Sequence, residues 1–73
     1  MNTFDNKHIQ IIDFLASHHY QPTAKKGANW WYLSPLHDEK AASFKVDINK
    51  NVWYDFGLGK GGGVKTLIDL LFH

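Results

Sequence analysis

A chain of 73 residues forms one small domain, and it is too short for a protein kinase or a complete dinucleotide-binding fold. Its eight basic and seven acidic residues give a formal net charge of +1, which neither requires nor excludes a nucleic-acid partner. The sequence has no cysteine, no apolar run near the roughly 18 residues of a membrane span and no N-terminal signal peptide, so we expect a cytoplasmic protein without disulfides or membrane contact.

The first predicted element is an amphipathic helix. Its apolar residues recur at helical spacing: Ile9, Ile12, Leu15 and Ala16. Asp5 or Asn6 can cap its start, and the helix should end near residues 18–19, ahead of a turn at Pro22. A basic turn at residues 25–27 follows.

Three strand-like segments make up the middle of the chain. Residues 29–33 are aromatic, whereas residues 43–48 and 52–56 alternate apolar and polar side chains, as half-buried strands do. A polar loop at residues 34–40 joins the first segment to the second.

The turn between the last two strands determines their register. A two-residue turn at residues 49–50 would pair Val46 with Trp53 and mix the apolar and polar faces. A three-residue turn pairs Val46 with Tyr54 and keeps the apolar side chains together, as register normally requires. We therefore predict the three-residue turn, with Asn51 in the left-handed conformation that it needs.

The glycine-rich stretch after these strands contains three patterns of nucleotide or metal chemistry. Residues 57–62 fit G-x-G-x-x-G, residues 59–66 are one residue short of a P-loop, and residues 55–57 spell the metal-binding triplet of protein kinases. The length excludes a kinase, a dinucleotide fold needs a further strand after its helix, and Val64 stands where the P-loop needs glycine. We therefore expect the glycines to break the chain before a last helix, whose apolar stripe is Val64, Leu67, Ile68 and Leu71.

These elements predict an α+β domain in which a small antiparallel sheet is flanked by N- and C-terminal helices. In the predicted register, one sheet face carries Trp30, Tyr32 and Trp53 beside Lys45. Two interpretations of this face remain open. A helix can cover the rings as part of the core, or the exposed rings can stack on the bases of single-stranded nucleic acid.

The second interpretation defines a set of candidate DNA-binding residues. The face itself supplies four of them, and the nearby loops supply four lysines as phosphate contacts: Trp30, Tyr32, Lys45 and Trp53, with Lys25, Lys26, Lys40 and Lys60. Each lysine taken singly is also compatible with an ordinary solvated surface.

Two short motifs resemble a known family. Ser34-x-x-His37 and, after seventeen intervening residues, Asp55-x-x-Leu58 resemble the Cys-x-x-His and Cys-x-x-Cys pairs of the zinc-ribbon domain of bacterial DNA primases. The surrounding segments are also similar: SPLHDEKAASFKV (residues 34–46) to that family's first ligand loop, and WYDFGLGKGG (residues 53–62) to its second. We call the turn that carries the second ligand pair, here residues 55–58, the knuckle. The resemblance extends from about residue 20 to residue 73.

The resemblance implies a zinc ribbon that has lost its metal. Of the four ligand positions only His37 is kept, while Ser34, Asp55 and Leu58 stand where the family has cysteine. Leucine cannot bind zinc and a neutral serine is a poor ligand. We therefore expect no zinc and no other cofactor, a hydrogen-bonded cluster of Ser34, His37 and Asp55, and a Leu58 side chain turned inward.

The function that the resemblance implies is contact with single-stranded template DNA in replication. On this interpretation residues 1–73 are one domain, either the N-terminal module of a longer primase-like protein with a separate toprim catalytic domain or a stand-alone relic on a plasmid or mobile element. The alternative is a protein-interaction module that docks a polymerase, a primase catalytic domain or a replicative helicase without contacting DNA. The sequence contains no nucleophile–base pair and no acidic cluster for metal catalysis, so we expect no enzyme activity from this domain alone.

Overall fold

The computed structural model describes residues 9–36 and 42–72, which form two helices and a five-stranded antiparallel sheet. Chain order is α1 (Ile11–Ser17), β1 (Ala24–Lys26), β2 (Asn29–Tyr32), β3 (Phe44–Asp47), β4 (Val52–Asp55), β5 (Lys60–Gly62) and α2 (Val64–Phe72). The strands lie side by side in sequence order, so the sheet is a meander. The predicted α+β class, a small antiparallel sheet with two flanking helices, is confirmed.

The sheet has five strands and not the three that the sequence predicted. One edge strand forms where a basic turn was expected, and the other forms where the glycines were expected to break the chain. Residues 25–27 are not simply a basic turn. Lys25 and Lys26 belong to β1, and Gly27, at φ 59°, turns the chain directly into β2. A glycine readily adopts this left-handed conformation, which is why so short a connection closes the hairpin.

The glycines after β4 form an edge strand and do not break the chain. Gly61 pairs with Tyr54 and Gly62 pairs with Trp53 in the β4–β5 ladder. A Cβ atom at Gly61 would lie 2.7 Å from both the Trp53 carbonyl oxygen and the Tyr54 ring, so no larger residue fits there without a shift. The glycine is therefore needed for close packing of β5 against its neighbour.

The predicted caps Asp5 and Asn6 lie outside the described residues, and helix α1 begins at Ile11 with Gln10 at the N-cap position. Its first turn is capped from a distant part of the chain. Asn51 Oδ1 accepts a hydrogen bond from the Ile11 backbone N–H at 2.8 Å, and Asn51 Nδ2 donates to the Ile9 carbonyl oxygen at 2.8 Å. The first bond satisfies one of the backbone N–H groups that a helix N-terminus leaves without a partner, and the second fixes the residue that leads into the helix. The predicted left-handed conformation of Asn51 is confirmed by its φ of 55°.

The predicted register of the β3–β4 hairpin is wrong. Val46 faces Trp53 and Phe44 faces Asp55, which is the register that the sequence analysis rejected. The register differs from the predicted one because Tyr54 is not a buried residue of β4. Tyr54 is 40% exposed, whereas Trp53 is 2% exposed and Asp55 is fully buried.

Trp53 is held inside by two specific contacts. Its ring stacks on Phe44, with centroids 5.3 Å apart and planes 12° apart, and its Nε1 donates to the Gly63 carbonyl oxygen at 2.9 Å. A buried indole N–H normally requires such an acceptor. The start of α2 provides it, which a pattern of alternating residues within β4 could not reveal.

The hydrophobic core lies between the two helices and one face of the sheet, which we call the inner face. Its fully buried side chains come from both helices and three strands: Ile11, Leu15, Tyr32, Phe44, Val46, Trp53, Val64 and Leu67. Side chains of a strand point alternately to opposite sides, so the residues between these belong to the opposite side, which we call the outer face. No helix in the described ranges is long and apolar enough to span a membrane.

Candidate nucleic-acid interface and knuckle

The aromatic side chains predicted to form a stacking platform lie on the inner face. Tyr32 is 1% exposed and Trp53 is 2% exposed, and Trp30 is half-buried. Burial raises the pKa of the Tyr32 phenol above its ordinary value. The expected exposure of Tyr32 and Trp53 is therefore wrong, and their interpretation as core residues is correct. The register error accounts for Trp53, whereas Tyr32 was assigned to the wrong face of β2, in which it is the buried residue.

Trp30 keeps a partly accessible position at the edge of the inner face. The Lys25 ammonium lies 4.2 Å from the centroid of the Trp30 ring, which is a cation–π geometry. The two residues pair across β1 and β2 and line an open groove of about 400 Å³ beside α1. The predicted neighbours Lys25 and Trp30 are thus together, but on the side away from Lys45.

The outer face carries an exposed aromatic cluster that the sequence analysis missed. We call it the outer platform, and it consists of Trp31, Tyr54 and Phe56. The Trp31 and Phe56 rings stack with centroids 5.8 Å apart and planes 21° apart, and the Tyr54 ring meets Phe56 edge to face at 4.8 Å. Tyr54 is 40% exposed and Phe56 is 57% exposed. These rings present flat apolar surface to solvent, which the buried rings cannot do.

Lys45 is the basic residue at the centre of the outer platform. It pairs with Trp31 on one side and with Tyr54 on the other, and its ammonium lies 5.9 Å from the Phe56 ring centroid. Beyond Tyr54 the surface forms a concavity of about 500 Å³ lined in part by Lys45, Lys50 and Gly61. The absence of a side chain at Gly61 lets the Tyr54 ring lie close against the Gly61 backbone.

The other predicted lysines are divided between the two faces. Lys26 follows Lys25 in β1 and so lies on the outer side, together with Lys45. Lys60 starts the edge strand β5 opposite Asp55, on the inner side. Lys40 lies outside the described residues.

Three of the four former ligand positions meet at the ends of β2 and β4. Asp55 is fully buried and Ser34 is 8% exposed. The Ser34 hydroxyl donates a hydrogen bond to Asp55 Oδ2, while Asp55 Oδ1 accepts one from the Leu58 backbone N–H at 3.0 Å. The Ser34–Asp55 part of the predicted cluster is confirmed, and His37 lies outside the described residues.

Leu58 contributes its backbone and not its side chain. The side chain is 42% exposed, so the prediction that it turns inward is wrong. The loop instead closes on Asp55, whose carbonyl oxygen accepts a hydrogen bond from Gly59 N–H at 2.7 Å. Gly59 has a φ of 69°, which favours glycine at this position.

A family model described as a CHC2 zinc finger matches residues 3–71 of the chain. The chain belongs to this family, the zinc-ribbon domain of DnaG-type primases. The CHC2 domain is 41% identical over 58 residues to the DNA primase of Listeria monocytogenes, a match that covers 80% of this chain and 9% of that protein. It is 33% identical over 60 residues to the DNA primase of Geobacillus stearothermophilus, covering 82% of this chain and 10% of the relative.

The CHC2 domain also matches a solved primase structure. The Aquifex aeolicus primase, a crystal structure of its zinc-binding and RNA polymerase domains, aligns with a TM-score of 0.70 and 29% sequence identity. The alignment covers 89% of this chain and 16% of that one. The chain therefore spans about a tenth of the curated relatives it matches.

The residues of this CHC2 domain do not fit a zinc ion. Structural zinc takes four nitrogen, sulfur or oxygen ligands, and the sequence has no cysteine. Leu58 has no ligating atom in its side chain, and both oxygens of Asp55 already accept hydrogen bonds from the protein. Across residues 9–36 and 42–72, no group of three or more His, Asp or Glu side chains could hold a metal ion.

One signal in the sequence could have identified the outer platform. If Ser34 and Asp55 occupy former ligand positions, they must point toward each other and share a face. Residues two positions earlier, Tyr32 and Trp53, then share that face too, and it is the side that the knuckle encloses. The intervening Tyr54 is thereby assigned to the outer side, in the register that the structure has.

Proposed function

We propose that this domain binds single-stranded DNA on its outer face, as the DNA-binding module of a primase-like protein. The observation that supports this most directly is the outer platform, where the exposed Tyr54 and Phe56 rings and the half-buried Trp31 ring lie around Lys45. Aromatic rings stack on unpaired bases whatever their sequence, and neighbouring lysines neutralise the phosphates between them.

The shape of the platform favours single strands over duplex. Base faces are accessible in a single strand and hidden by stacking in a duplex, and a duplex is read mainly by an element that enters a groove. The outer face offers aromatic rings at two orientations, and both described helices contribute their buried residues to the core on the opposite side. Tyr54 borders the concavity that Lys45, Lys50 and Asp47 line, and a base stacked on its ring would have two lysines and one carboxylate nearby.

The charge of the domain predicts modest affinity. The net charge is only +1, and three lysines lie on or beside the platform: Lys26, Lys45 and Lys50. With about 0.7 counterions released per phosphate contact on a single strand, three contacts give a salt slope near −2. We therefore expect micromolar binding at low salt.

The proposed interface revises the set of residues taken from the sequence. Lys45 and Lys26 stay as direct contacts, while Tyr32 and Trp53 support the platform from the core. Three predicted residues lie on the inner side of the sheet: Lys25, Trp30 and Lys60. Single-stranded DNA bound to the outer face would contact them only if it passed around an edge of the sheet. Lys40 remains a candidate phosphate contact outside the described residues.

We also propose the setting in which the domain acts. Its relatives are DNA primases of which it matches about a tenth, so we take it as a non-catalytic N-terminal module of a longer cytoplasmic protein with a separate toprim catalytic domain. We propose that it contains no zinc, because the residues at the family's metal site do not fit the ion. A copy that has lost its ligands is consistent with a plasmid or another mobile element.

A second candidate function is docking of a polymerase, a primase catalytic domain or a replicative helicase. The observation in its favour is the exposed apolar end of α2, where Leu70 is 40% exposed and Phe72 is 61% exposed. Phe72 contacts Phe14 and His18 of the N-terminal part, so these rings form a patch separate from the outer platform. A docking module would bind protein through this patch and leave DNA unaffected.

The test is a titration of a short labelled oligonucleotide, followed by anisotropy at several salt concentrations. Phe56→Ala and Tyr54→Ala should each weaken binding at least about fivefold, since a stacked base is worth about 1–3 kcal/mol. Lys45→Ala should reduce the salt slope by about 0.7. Lys65→Ala, an exposed lysine on α2 that pairs with Asp69 at 3.3 Å, is the matched control and should change neither.

Two results would contradict the proposal. One is no binding by the wild type up to about 100 µM at low salt, the upper end of non-specific affinities for DNA-binding proteins. The other is an equal loss in the Lys65→Ala control and in the platform variants. A duplex of the same sequence should bind more weakly than the single strand.

A further inference from the structure

The ends of β2 and β4 are linked on the inner side of the sheet although β3 lies between them. Ser34 follows β2 by two residues and Asp55 is the last residue of β4. Their side chains meet in a contact that is almost completely buried. A buried polar contact between strands that share no ladder fixes those two strand ends relative to each other.

We propose that Ser34 and Asp55 form a pin that closes the knuckle in place of the metal of the CHC2 family. Each Asp55 carboxylate oxygen serves a different part of the knuckle. Oδ2 accepts from the Ser34 hydroxyl and so reaches the β2 end, and Oδ1 accepts from the Leu58 N–H and so holds the loop after β4. Ser34 Oγ in turn accepts from the Leu36 N–H at 3.0 Å, which orders the chain after β2.

This pin joins the same parts of the chain that the two ligand pairs of a zinc ribbon join. One motif contains Ser34 and the other contains both Asp55 and Leu58, and the hydrogen bonds run between and within these motifs. Hydrogen bonds to a carboxylate are roughly twice as strong as those between neutral groups. The knuckle keeps its shape by chemistry that needs no thiolate and no metal.

The pin also lies directly behind the outer platform. Asp55 stands between Tyr54 and Phe56 in the sequence, and Phe56 stacks on Trp31 of β2 on the opposite side of the sheet. The pin and the Trp31–Phe56 stack therefore tie the same two strands together from opposite faces. This consequence for DNA rests on the proposed function, whereas the pin itself does not.

The first part of the test uses the wild-type protein, by elemental analysis and thermal melts. The pin predicts a folded domain without stoichiometric zinc, whose melting temperature is unchanged by EDTA and by an equimolar addition of zinc. Because a ligand that binds only the folded state must raise its stability, zinc binding would appear as a shift. One zinc per chain, or unfolding by EDTA, would overturn the proposal.

The second part measures coupling between the two residues by urea unfolding. Ser34→Ala and Asp55→Asn should each raise the unfolding equilibrium constant about 10–100-fold, because the first removes a hydrogen bond to a buried carboxylate and the second replaces that carboxylate with a neutral amide that binds the hydroxyl more weakly. Ser34→Ala should therefore cost less in the Asp55→Asn background than in the wild type, since the charge-assisted bond is already lost there. If Asp55→Asn does not fold, Ser34→Ala and the metal measurements still decide the matter.

Matched controls are exposed residues of the same types. Ser17→Ala removes a hydroxyl that donates to the Phe14 carbonyl oxygen, and Asp69→Asn removes a carboxylate paired with Lys65. Both should shift the unfolding constant by less than about threefold. Effects at Ser34 and Asp55 no larger than these, or strictly additive effects, would overturn the pin. Neither measurement uses DNA, so the pin and the DNA proposal can fail separately.

Discussion

Both faces of this one sheet carry large aromatic rings, but only the inner face is covered by the hydrophobic core. Trp30 and Trp31 are neighbours, as are Trp53 and Tyr54, and in each pair one ring faces the core and the other faces outward. Trp53 is 2% exposed and Tyr54 is 40% exposed. Side-chain type alone therefore does not assign an aromatic residue to a face. The strand register and the placement of the helices assign each ring to a face, and substitutions on the two faces should therefore have different effects.

The largest expected contrast is between Trp53→Ala and Tyr54→Ala. Removing the Trp53 ring empties core space against Phe44 and should lower the free energy of unfolding by about 3–5 kcal/mol, which is a large share of the stability of a small domain. Removing the Tyr54 ring should lower it by less than about 1 kcal/mol. Urea unfolding followed by circular dichroism measures both. Equal losses would mean that the two faces are not distinct.

The next contrast concerns Asn51, which links the β3–β4 turn to the start of α1. Asn51→Ala loses both cap bonds and also places alanine at positive φ, so we expect a loss of about 2–4 kcal/mol. Asn51→Gly loses the same bonds without the conformational cost and should be more stable than the alanine variant by about 1 kcal/mol. Asn49→Ala, at an exposed turn position, is the control. Thermal melts that rank glycine below alanine would contradict this account.

A smaller effect is expected from glycine substitutions beside the outer platform. Gly61→Ala places a Cβ 2.7 Å from the Tyr54 ring and the Trp53 carbonyl oxygen, which should cost about 1–3 kcal/mol as β5 shifts. The same change at Gly63 meets nothing within 4 Å and is the matched control. If the platform binds DNA, Gly61→Ala should also weaken binding, because the Tyr54 ring must move. An unchanged stability for Gly61→Ala would refute the close packing of β5.

The smallest effect is a pH dependence from the inner face. Burial raises the pKa of Tyr32 above its ordinary value of 10.0, so the folded protein keeps the phenol proton at a pH where the unfolded chain releases it. The stabilisation is complete below about pH 10 and is lost as pH rises through the folded pKa. Urea midpoints for wild type and Tyr32→Phe between pH 9 and 11 should therefore diverge, with the steeper fall in the wild type. Parallel curves would indicate an exposed phenol.

The sequence by itself determined the two helices, the three central strands and the family, but not the two edge strands. The helical spacing around Leu15 and Leu67, the alternation near Val46 and the left-handed Asn51 each depend on neighbouring residues, and each is present in the structure. The paired motifs around Ser34 and Asp55 are also local, and they were enough to indicate the CHC2 family. Local chemistry could further show that the zinc ligands are gone, since that requires only the residue identities.

The tertiary structure decided which face of the sheet is buried. Sliding the β3–β4 pairing by one residue moves every side chain of β4 to the other face, and both choices place aromatic rings on both sides, so the pattern of this strand could not choose between them. The choice is made by contacts between distant residues. The start of α2 accepts the Trp53 N–H at Gly63, and Ser34 reaches Asp55 across β3. These partners lie 10 and 21 residues apart, so the alternation of residues within one strand could not reveal them. Because they hold Trp53 and Asp55 inside, Tyr54 and Phe56 are exposed to solvent.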